Sequence, residues 1–271
     1  MRCLYVDLDG TLLGPGGALF RGGDGAFDLL GARALEACSR AGAEVAVMTG
    51  RRRVDALEAM RLLGQTSCIF EAGSGYVIEG EEHWLTQPYL PGERTIHDQI
   101  ADAGAPALLL ERYAGRLEPH EPWAAGREVS HLLRGHVDVA EADALLEAEG
   151  HRDLRLVDNG AAHHRSAALD GLPLVRVYHL VPRGVSKATA VAAHARARGY
   201  APEDCVAVGD SHEDLATAAA VGAFWLVANA VEQDPQIRSA LAAHPNARTC
   251  GAGHGAGVYE AVVSTLVAHG G

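Results

Sequence analysis

Tyr5-Val6-Asp7-Leu8-Asp9-Gly10-Thr11-Leu12-Leu13 is the stretch whose reading decides the fold. Apolar residues run into an Asp, skip one position, place a second Asp and stop at Gly-Thr. Residues two apart in a strand share a face, and a Gly directly afterwards lets the chain turn tightly. A strand ending near Asp7 would thus deliver two carboxylates to the rim of a sheet. Like charges that close are costly unless a cation, a proton or a reacting group relieves them. An Asx-type turn, with one Asp capping backbone N–H groups, accounts for one of the pair and not for both.

Outward from that stretch, Cys3 to Leu8 read as a buried strand, a Gly-rich loop spans Gly14 to Gly25, and a helical pattern runs from about Phe27 to Ala41. Glu44-Val45-Ala46-Val47-Met48 is a second apolar run, closed by Thr49-Gly50-Arg51. A helix over Arg53–Leu63 and a strand Cys68-Ile69-Phe70-Glu71 follow, then a hairpin around Gly80. Strands alternating with helices predict right-handed βαβ units and a parallel sheet. From about His83 to Pro182 the alternation weakens and nine of the fourteen histidines appear, which marks a different unit. Helices near Thr95–Ala103 and Ala140–Glu149, with strands near Asp153–Val157 and Leu174–Val181, predict an α+β insert.

The α/β rhythm resumes after Arg183-Gly184-Val185. Ser186 is the expected N-cap of a helix over Lys187–Arg198, ended by Gly199. Cys205-Val206-Ala207-Val208 is a strand running into Gly209-Asp210-Ser211-His212-Glu213-Asp214, and a helix to Val221 follows. A strand Ala223–Val227 leads to Ala228-Asn229-Ala230, and a last helix covers Val258–Val267. The expected division is a core of residues 1–82 and 183–271 with an inserted cap of residues 83–182.

Bulk composition narrows the function classes. Apolar residues make up 48% and charged residues 21% of the 271, an ordinary globular balance. A net charge of −12 argues against nucleic acid or an anionic membrane as the main partner. No targeting core precedes Asp7, and no apolar run approaches the length of about 20 residues that spans a bilayer. The five cysteines form no Cys-x-x-Cys pair and read as small core residues in a reducing cytoplasm. Of the 23 basic residues only Lys187 is a lysine, so it alone escaped a bias toward arginine.

In open α/β sheets ligands bind at the carboxyl ends of the strands. Asp7, Asp9, Thr49, Gly50, Arg51, Asp210, Asp214 and Asn229 all fall at such ends, and Lys187 opens a helix beside them. Up to four carboxylates in one crevice are relieved by a hard divalent cation with oxygen ligands, as Mg²⁺ is. Thr49 with Gly50, and the point charge of Lys187 at a helix start, suit phosphate oxygens. Acids with a metal on one side and phosphate ligands on the other point to phosphoryl transfer, in which an Asp can serve as nucleophile.

Asp7-Leu8-Asp9-Gly10-Thr11-Leu12, Thr49-Gly50-Arg51, Lys187 and Gly209-Asp210-Ser211-His212-Glu213-Asp214 resemble, in order and spacing, the four motifs of the haloacid dehalogenase superfamily. The position and size of the insert, with Gly184-Val185-Ser186-Lys187 just after it, are similar to the Cof-like, type IIB-capped phosphatases, which include sucrose-phosphate, mannosyl-phosphoglycerate and trehalose-phosphate phosphatases. The resemblance implies a Rossmann-like open parallel sheet with an α+β cap. It implies a Mg²⁺-dependent phosphatase acting on a small phosphorylated metabolite, of the sugar phosphate or glycosyl-phosphoglycerate type, through an aspartyl-phosphate intermediate. Asp7 is then nucleophile and metal ligand, Asp9 general acid and base with its carbonyl on the metal, and Asp210 a metal ligand. Thr49, Gly50, Lys187 and Asn229 would hold phosphate, with Asp214, Glu213 and Arg51 in support. A phosphomutase of the phosphomannomutase type, or a non-catalytic phosphate-ligand-binding protein, are the alternatives. Glu213 departs from the Asn of many relatives; it either supports the metal or faces solvent on the first turn of a helix.

Weaker patterns carry blander readings. Gly73-Ser74-Gly75 lacks the third glycine of a dinucleotide loop and reads as a turn. His163-His164-Arg165 and the pair His131 and His136 lack the partners of a metal site. Arg112, Arg116, Arg127, Arg134, Arg165 and His179 are cap cations that could meet a substrate's remote acidic group.

Overall fold

A computed structural model describes residues 1–162 and 166–270; the expected His163-His164-Arg165 cluster lies outside the described residues. The strands are β1 (Cys3–Asp7), β2 (Glu44–Met48), β3 (Ser67–Phe70), β4 (Gly75–Ile78), β5 (Glu81–Trp84), β6 (Leu117–Pro119), β7 (His131–Gly135), β8 (Leu154–Ala161), β9 (Arg176–Pro182), β10 (Cys205–Gly209), β11 (Ala223–Leu226) and β12 (Ala247–Thr249). The helices are α1 (Leu30–Arg40), α2 (Arg53–Leu62), α3 (Ile96–Asp102), α4 (Ala105–Arg112), α5 (Val139–Ala148), α6 (Lys187–Arg198), α7 (His212–Leu215), α8 (Ala228–Gln233), α9 (Ile237–Leu241) and α10 (His254–Gly270).

Eight strands form one sheet in the order β12-β11-β10-β1-β2-β3-β4-β5. It is parallel from β12 to β3 and turns antiparallel through the β3–β4 and β4–β5 pairs. The apolar runs of β1 and β2 are unbroken because both faces are covered. Leu4, Val6, Val45 and Val47 pack with Ala34, Cys38, Ala56 and Val262 of α1, α2 and α10. Cys3, Tyr5, Ala46 and Met48 face the other way, onto Ala190, Val191 and Ala195 of α6. Each fully buried aliphatic side chain of this kind contributes about 1.5–3 kcal/mol. All five cysteines are buried free thiols.

The insert carries its own antiparallel sheet, β6-β7-β9-β8. One face, through Leu133, Leu154, Leu156, Tyr178 and Leu180, packs on Ile100, Leu109 and Leu146 of α3, α4 and α5. Alternation along β9 therefore sends Val177 and His179 to the opposite face, toward the core domain.

Several elements differ from expectation for local physical reasons. Helix α4 begins Ala105-Pro106, and a Pro that reads as a breaker is favoured in the first helical turn, where its missing N–H costs nothing. Strand β7 carries no clear signal in the sequence because Arg134 looks like a surface residue; it is buried against Glu118 at 2.7 Å. Asp28 accepts the Leu30 N–H at 2.7 Å and so delays α1 by three residues. Helix α10 starts at His254 rather than Val258, because its glycines serve packing: a Cβ on Gly255 would meet the Gly31 Cα of α1 at 2.9 Å. The helix expected through to Val221 is α-helical for only four residues, His212–Leu215, before a 3₁₀ stretch, Ala216–Ala220. Glu71 does not extend β3; it opens a 3₁₀ turn with Glu71 and Ala72 at positive φ. The Gly14–Gly25 loop folds back through bridges at Gly14–Ala18 and Arg21–Phe27.

Candidate active site

β1 ends at Asp7, buried at the carboxyl edge of the sheet. The chain then turns through Gly10 at φ +86°, where a Cβ would come within 2.4 Å of Asp210 Oδ2. Only glycine allows both that backbone and that approach. Next along the edge, Thr49 follows β2 and is almost fully buried, with its hydroxyl accepting the Arg51 N–H at 3.2 Å. β10 delivers Asp210, whose Oδ1 accepts from the Thr11 hydroxyl at 3.1 Å.

The lone lysine lies at the centre. Lys187 Nζ donates to Asp7 Oδ1 at 2.7 Å and to Asp214 Oδ1 at 2.6 Å, with all three side chains buried. Its position follows from α6: Ser186 caps the helix, accepting from Thr189 N at 2.9 Å, and Glu213 Oε1 accepts the Lys187 backbone N–H at 2.9 Å. Glu213 is buried, so the solvent-facing alternative is wrong; a carboxylate is drawn in because the first N–H groups of a helix lack intrahelical partners. The 71–73 turn seats the same helix start, since a Cβ on Gly73 would meet the Ser186 carbonyl oxygen at 2.1 Å.

Asp7, Asp210 and Asp214 offer oxygens within 4.8 Å of one another. Asp214 is already committed: Oδ1 to Lys187, and Oδ2 to the N–H groups of Asp210 (3.2 Å) and Ser211 (3.1 Å) and the Ser211 hydroxyl (2.6 Å). One ammonium cannot balance the remaining acids. Burial pushes Asp7 well above the usual carboxylate range against the pull of Lys187, and burial with the Asp214 charge pushes Asp210 up to about 7. Burial works against the charge of Lys187, yet Asp214 and Asp7 outweigh it and raise its pKa. The residues thus fit a hard divalent cation on the oxygens of Asp7 and Asp210, with Asp214 as a brace for the lysine and the loop.

Asp9 turns the other way. Arg51 grips its carboxylate with both branches, Nε to Oδ2 at 2.6 Å and Nη2 to Oδ1 at 2.5 Å, and its side chain is half exposed. Gly17 of the glycine-rich loop packs over this pair; a Cβ there would meet Arg51 Nη2 at 3.3 Å. Asn229 does not line the crevice. Its amide nitrogen donates to Gly10 O at 2.9 Å and its oxygen accepts from His254 N at 2.9 Å, so it holds the Asp9–Thr11 turn against α10.

A cavity of about 1010 Å³ opens over Asp7, Asp9, Thr49, Gly50, Lys187 and Asp210 and is lined on its far side by the cap residues His120, Trp123, Arg127 and His179. Of the cap cations read from the sequence, Arg127 and His179 line it. Arg112 and Arg116 stack on Tyr113, and Arg134 pairs with Glu118. Arg165 is outside the described residues. Buried Arg127 donates to the carbonyl oxygen of Gly50 at 3.0 Å and to Ser130 Oγ at 3.0 Å, so a cap residue grips the loop after β2. Arg176 also bridges cap and core, reaching Asp158 on β8 and Asp234 beyond α8. Asn159, Ser130 and Arg176 were not anticipated: polar residues scattered through an insert carry no signal until β7, β8 and β9 set them side by side.

A profile of haloacid dehalogenase-like hydrolases matches residues 176–242. A phosphoglycolate phosphatase of Methanoculleus marisnigri is 30% identical over 68% of this chain and 76% of its own. Another from Halorubrum lacusprofundi is 28% identical over 84% of each chain. The sucrose-phosphatase structure from Synechocystis sp., in complex with sucrose and phosphate, superposes with a TM-score of 0.65 at 15% identity, covering 98% of this chain and 99% of that one; it speaks to the fold alone. With its strand order, its capped crevice and its acids in place, the chain belongs to the haloacid dehalogenase-like hydrolase family.

Proposed function

We propose that the protein is a Mg²⁺-dependent phosphatase that hydrolyses the monoester of a small phosphorylated metabolite, of the sugar phosphate or glycosyl-phosphoglycerate type, through an aspartyl-phosphate on Asp7. The observation that carries this is the convergence of Asp7, Lys187, Asp210 and Thr49-Gly50 on one capped cavity, with Asp9 at its rim. The names of the two archaeal relatives support a small phosphorylated substrate.

Asp7 and Asp210, with the backbone carbonyl of Asp9, would hold the cation. When bound, the ion supplies positive charge to the phosphoryl oxygens and relieves the two acids. A carboxylate oxygen of Asp7 attacks phosphorus, the bond from phosphorus to the ester oxygen breaks, and Asp9 gives its proton to the leaving alcohol. Asp9 then takes a proton from water, whose oxygen attacks the same phosphorus and frees Asp7 and inorganic phosphate. Lys187 and the Thr49 hydroxyl, whose hydrogen has no acceptor among the described residues, hold the transferring oxygens. Arg51 must release Asp9 for proton transfer, and the incoming phosphate is a competing anion for its guanidinium. We read residues 83–182 as the specificity cap on a core of residues 1–82 and 183–271. By closing over the crevice, the cap keeps bulk water from the reaction.

Hydrolysis of p-nitrophenyl phosphate with and without Mg²⁺ tests the reading. Asp7→Asn is expected to lower turnover by about 10³-fold or more, the scale for loss of a nucleophile. An Asp7→Asn protein that keeps most of its activity sinks the assignment.

A further inference from the structure

We propose that His179, together with Asn159, is the specificity element of the cap: it reads a hydroxyl group on the alcohol half of the substrate, next to the phosphate loop. The inference rests on the phosphatase reading and adds the chemical feature by which the cap selects its ester. It stands on an unusual side chain: His179 is 1% exposed and lines the cavity, yet among the described residues its Nε2 has no hydrogen-bond partner. A buried polar atom left without a partner is costly, so a group that bonds Nε2 is the expected occupant of the space it faces.

The ring's protonation follows from its neighbours. The carboxylate of Glu71 takes the backbone N–H of Glu128 on Oε1 (2.9 Å) and those of Val129 (3.2 Å) and Ser130 (2.8 Å) on Oε2. That same Oε2 stands 3.0 Å from Ser130 Oγ. A carboxylate oxygen has only lone pairs to offer, so the Ser130 hydroxyl must donate to it. Ser130 Oγ can then only accept, from Arg127 Nη1 at 3.0 Å and from His179 Nδ1 at 3.1 Å. His179 therefore carries its hydrogen on Nδ1 and presents a bare lone pair at Nε2. Burial, and then the cations Arg127 and Lys187, hold the ring neutral.

The lone pair lies beside the loop after β2, on the wall of the cavity. A Cβ on Gly50 would sit 3.0 Å from His179 Nε2 and 3.2 Å from Asn159 Nδ2. The space above the phosphate loop is thus flanked by an acceptor and an amide that can donate. A carboxylate cannot donate to Nε2, and an ammonium cannot accept from Asn159. A hydroxyl does both, so a polyhydroxylated ester fits this corner and a carboxylate there does not.

The test measures kcat/KM of wild type for p-nitrophenyl phosphate, phosphoglycolate, and hexose, pentose and glycerol phosphates with their monodeoxy counterparts. Removing one particular hydroxyl is expected to cost wild type about ten- to a hundredfold, the scale for stranding a site's polar group. In His179→Phe that same deoxygenation should cost under about twofold, and the preference for the hydroxylated ester over p-nitrophenyl phosphate should fall at least tenfold. His179→Gln, which restores an acceptor, should recover part of that preference. A second readout needs no turnover: ¹⁵N–¹H spectra of labelled histidine should show Nδ1–H for His179, and Ser130→Ala should change the tautomer balance. A flat deoxy profile in wild type, equal losses on all esters in His179→Phe, or an Nε2–H ring overturns the inference. So does wild type that cleaves p-nitrophenyl phosphate and no hydroxylated ester. Wild type that cleaves no ester, Mg²⁺ present, fails the phosphatase reading itself.

Discussion

At the scale of single residues, Lys187 organises the site. It is fully buried between Asp7 and Asp214, a position where an arginine's planar fork would need more room and more donors would need partners. Its charge leaves a surplus of acid that a proton or a cation can relieve, and Asp210 registers that surplus in its raised pKa. An acid whose pKa rises on folding, here from 3.8 to about 7, favours the folded state least once the unfolded chain has lost its proton. Asp210 therefore makes the metal-free protein less stable as pH climbs from about 4 to about 7, and adds no further slope above that window. Asp210→Asn should be the more stable of the two proteins at pH 7 without metal, and the gap should close toward pH 4. Urea titrations in a chelator measure it, and saturating Mg²⁺ should erase the wild-type penalty. A gap that widens toward low pH would contradict the assignment.

At the scale of elements, the chemistry depends on turns at the ends of three parallel strands. β1 exits through Gly10, β2 through Thr49-Gly50, and β10 through the Ser211-capped start of α7. Gly10→Ala asks a non-glycine residue to hold φ +86° and to place a methyl 2.4 Å from Asp210 Oδ2. Left-handed strain alone costs about 1–3 kcal/mol, and relief of the clash moves Asp210 away from Asp7. We expect a loss of that size in chemical denaturation and, separately, a weakened Mg²⁺ requirement curve, shifted at least tenfold to higher metal. Gly80→Ala, at φ +90° in the β4–β5 turn with no neighbour within 4 Å, should show the stability cost without the metal shift. Equal metal curves for the two variants would separate Gly10 from the site.

At the scale of the whole molecule, cap and core meet through a small set of charged contacts. Arg53 reaches Glu128, Arg127 reaches the Gly50 carbonyl, and Arg176 joins Asp158 of the cap to Asp234 of the core. Glu71 links the two most tightly, since a core carboxylate accepts three successive backbone N–H groups of the cap. Arg176 on β9 holds Asp158 within the cap through Nε and reaches Asp234 of the core through Nη1 at 3.0 Å. Arg176→Met is expected to loosen closure: KM for a metabolite phosphate should rise several-fold while the unfolding midpoint shifts little, and proteolysis at the cap–core junction should quicken. A fall in kcat with KM held would instead place Arg176 in the chemical step.

Much of this was legible in the chain. Asp7, Asp9, Thr49, Asp210 and Lys187 announce themselves because a parallel sheet needs uninterrupted apolar strands, so a charge at a strand end stands out against them. The Ser186 cap, Gly199 at φ +65° and the length of α6 also follow from local rules, since capping and left-handed turns depend on near neighbours. What tertiary structure alone decided lies where contacts span the sequence. Asp214 braces Lys187 and the loop after β10 because its oxygens accept from groups 3, 4 and 27 residues away. Asn229 holds a turn because Gly10, 219 positions distant, claims its amide. His179 is a lone-pair donor in a cavity only because Glu71, Ser130 and β9 meet. No local pattern encodes such a meeting, because hydrogen-bond partners are set by what the fold brings within 3 Å and not by spacing along the chain.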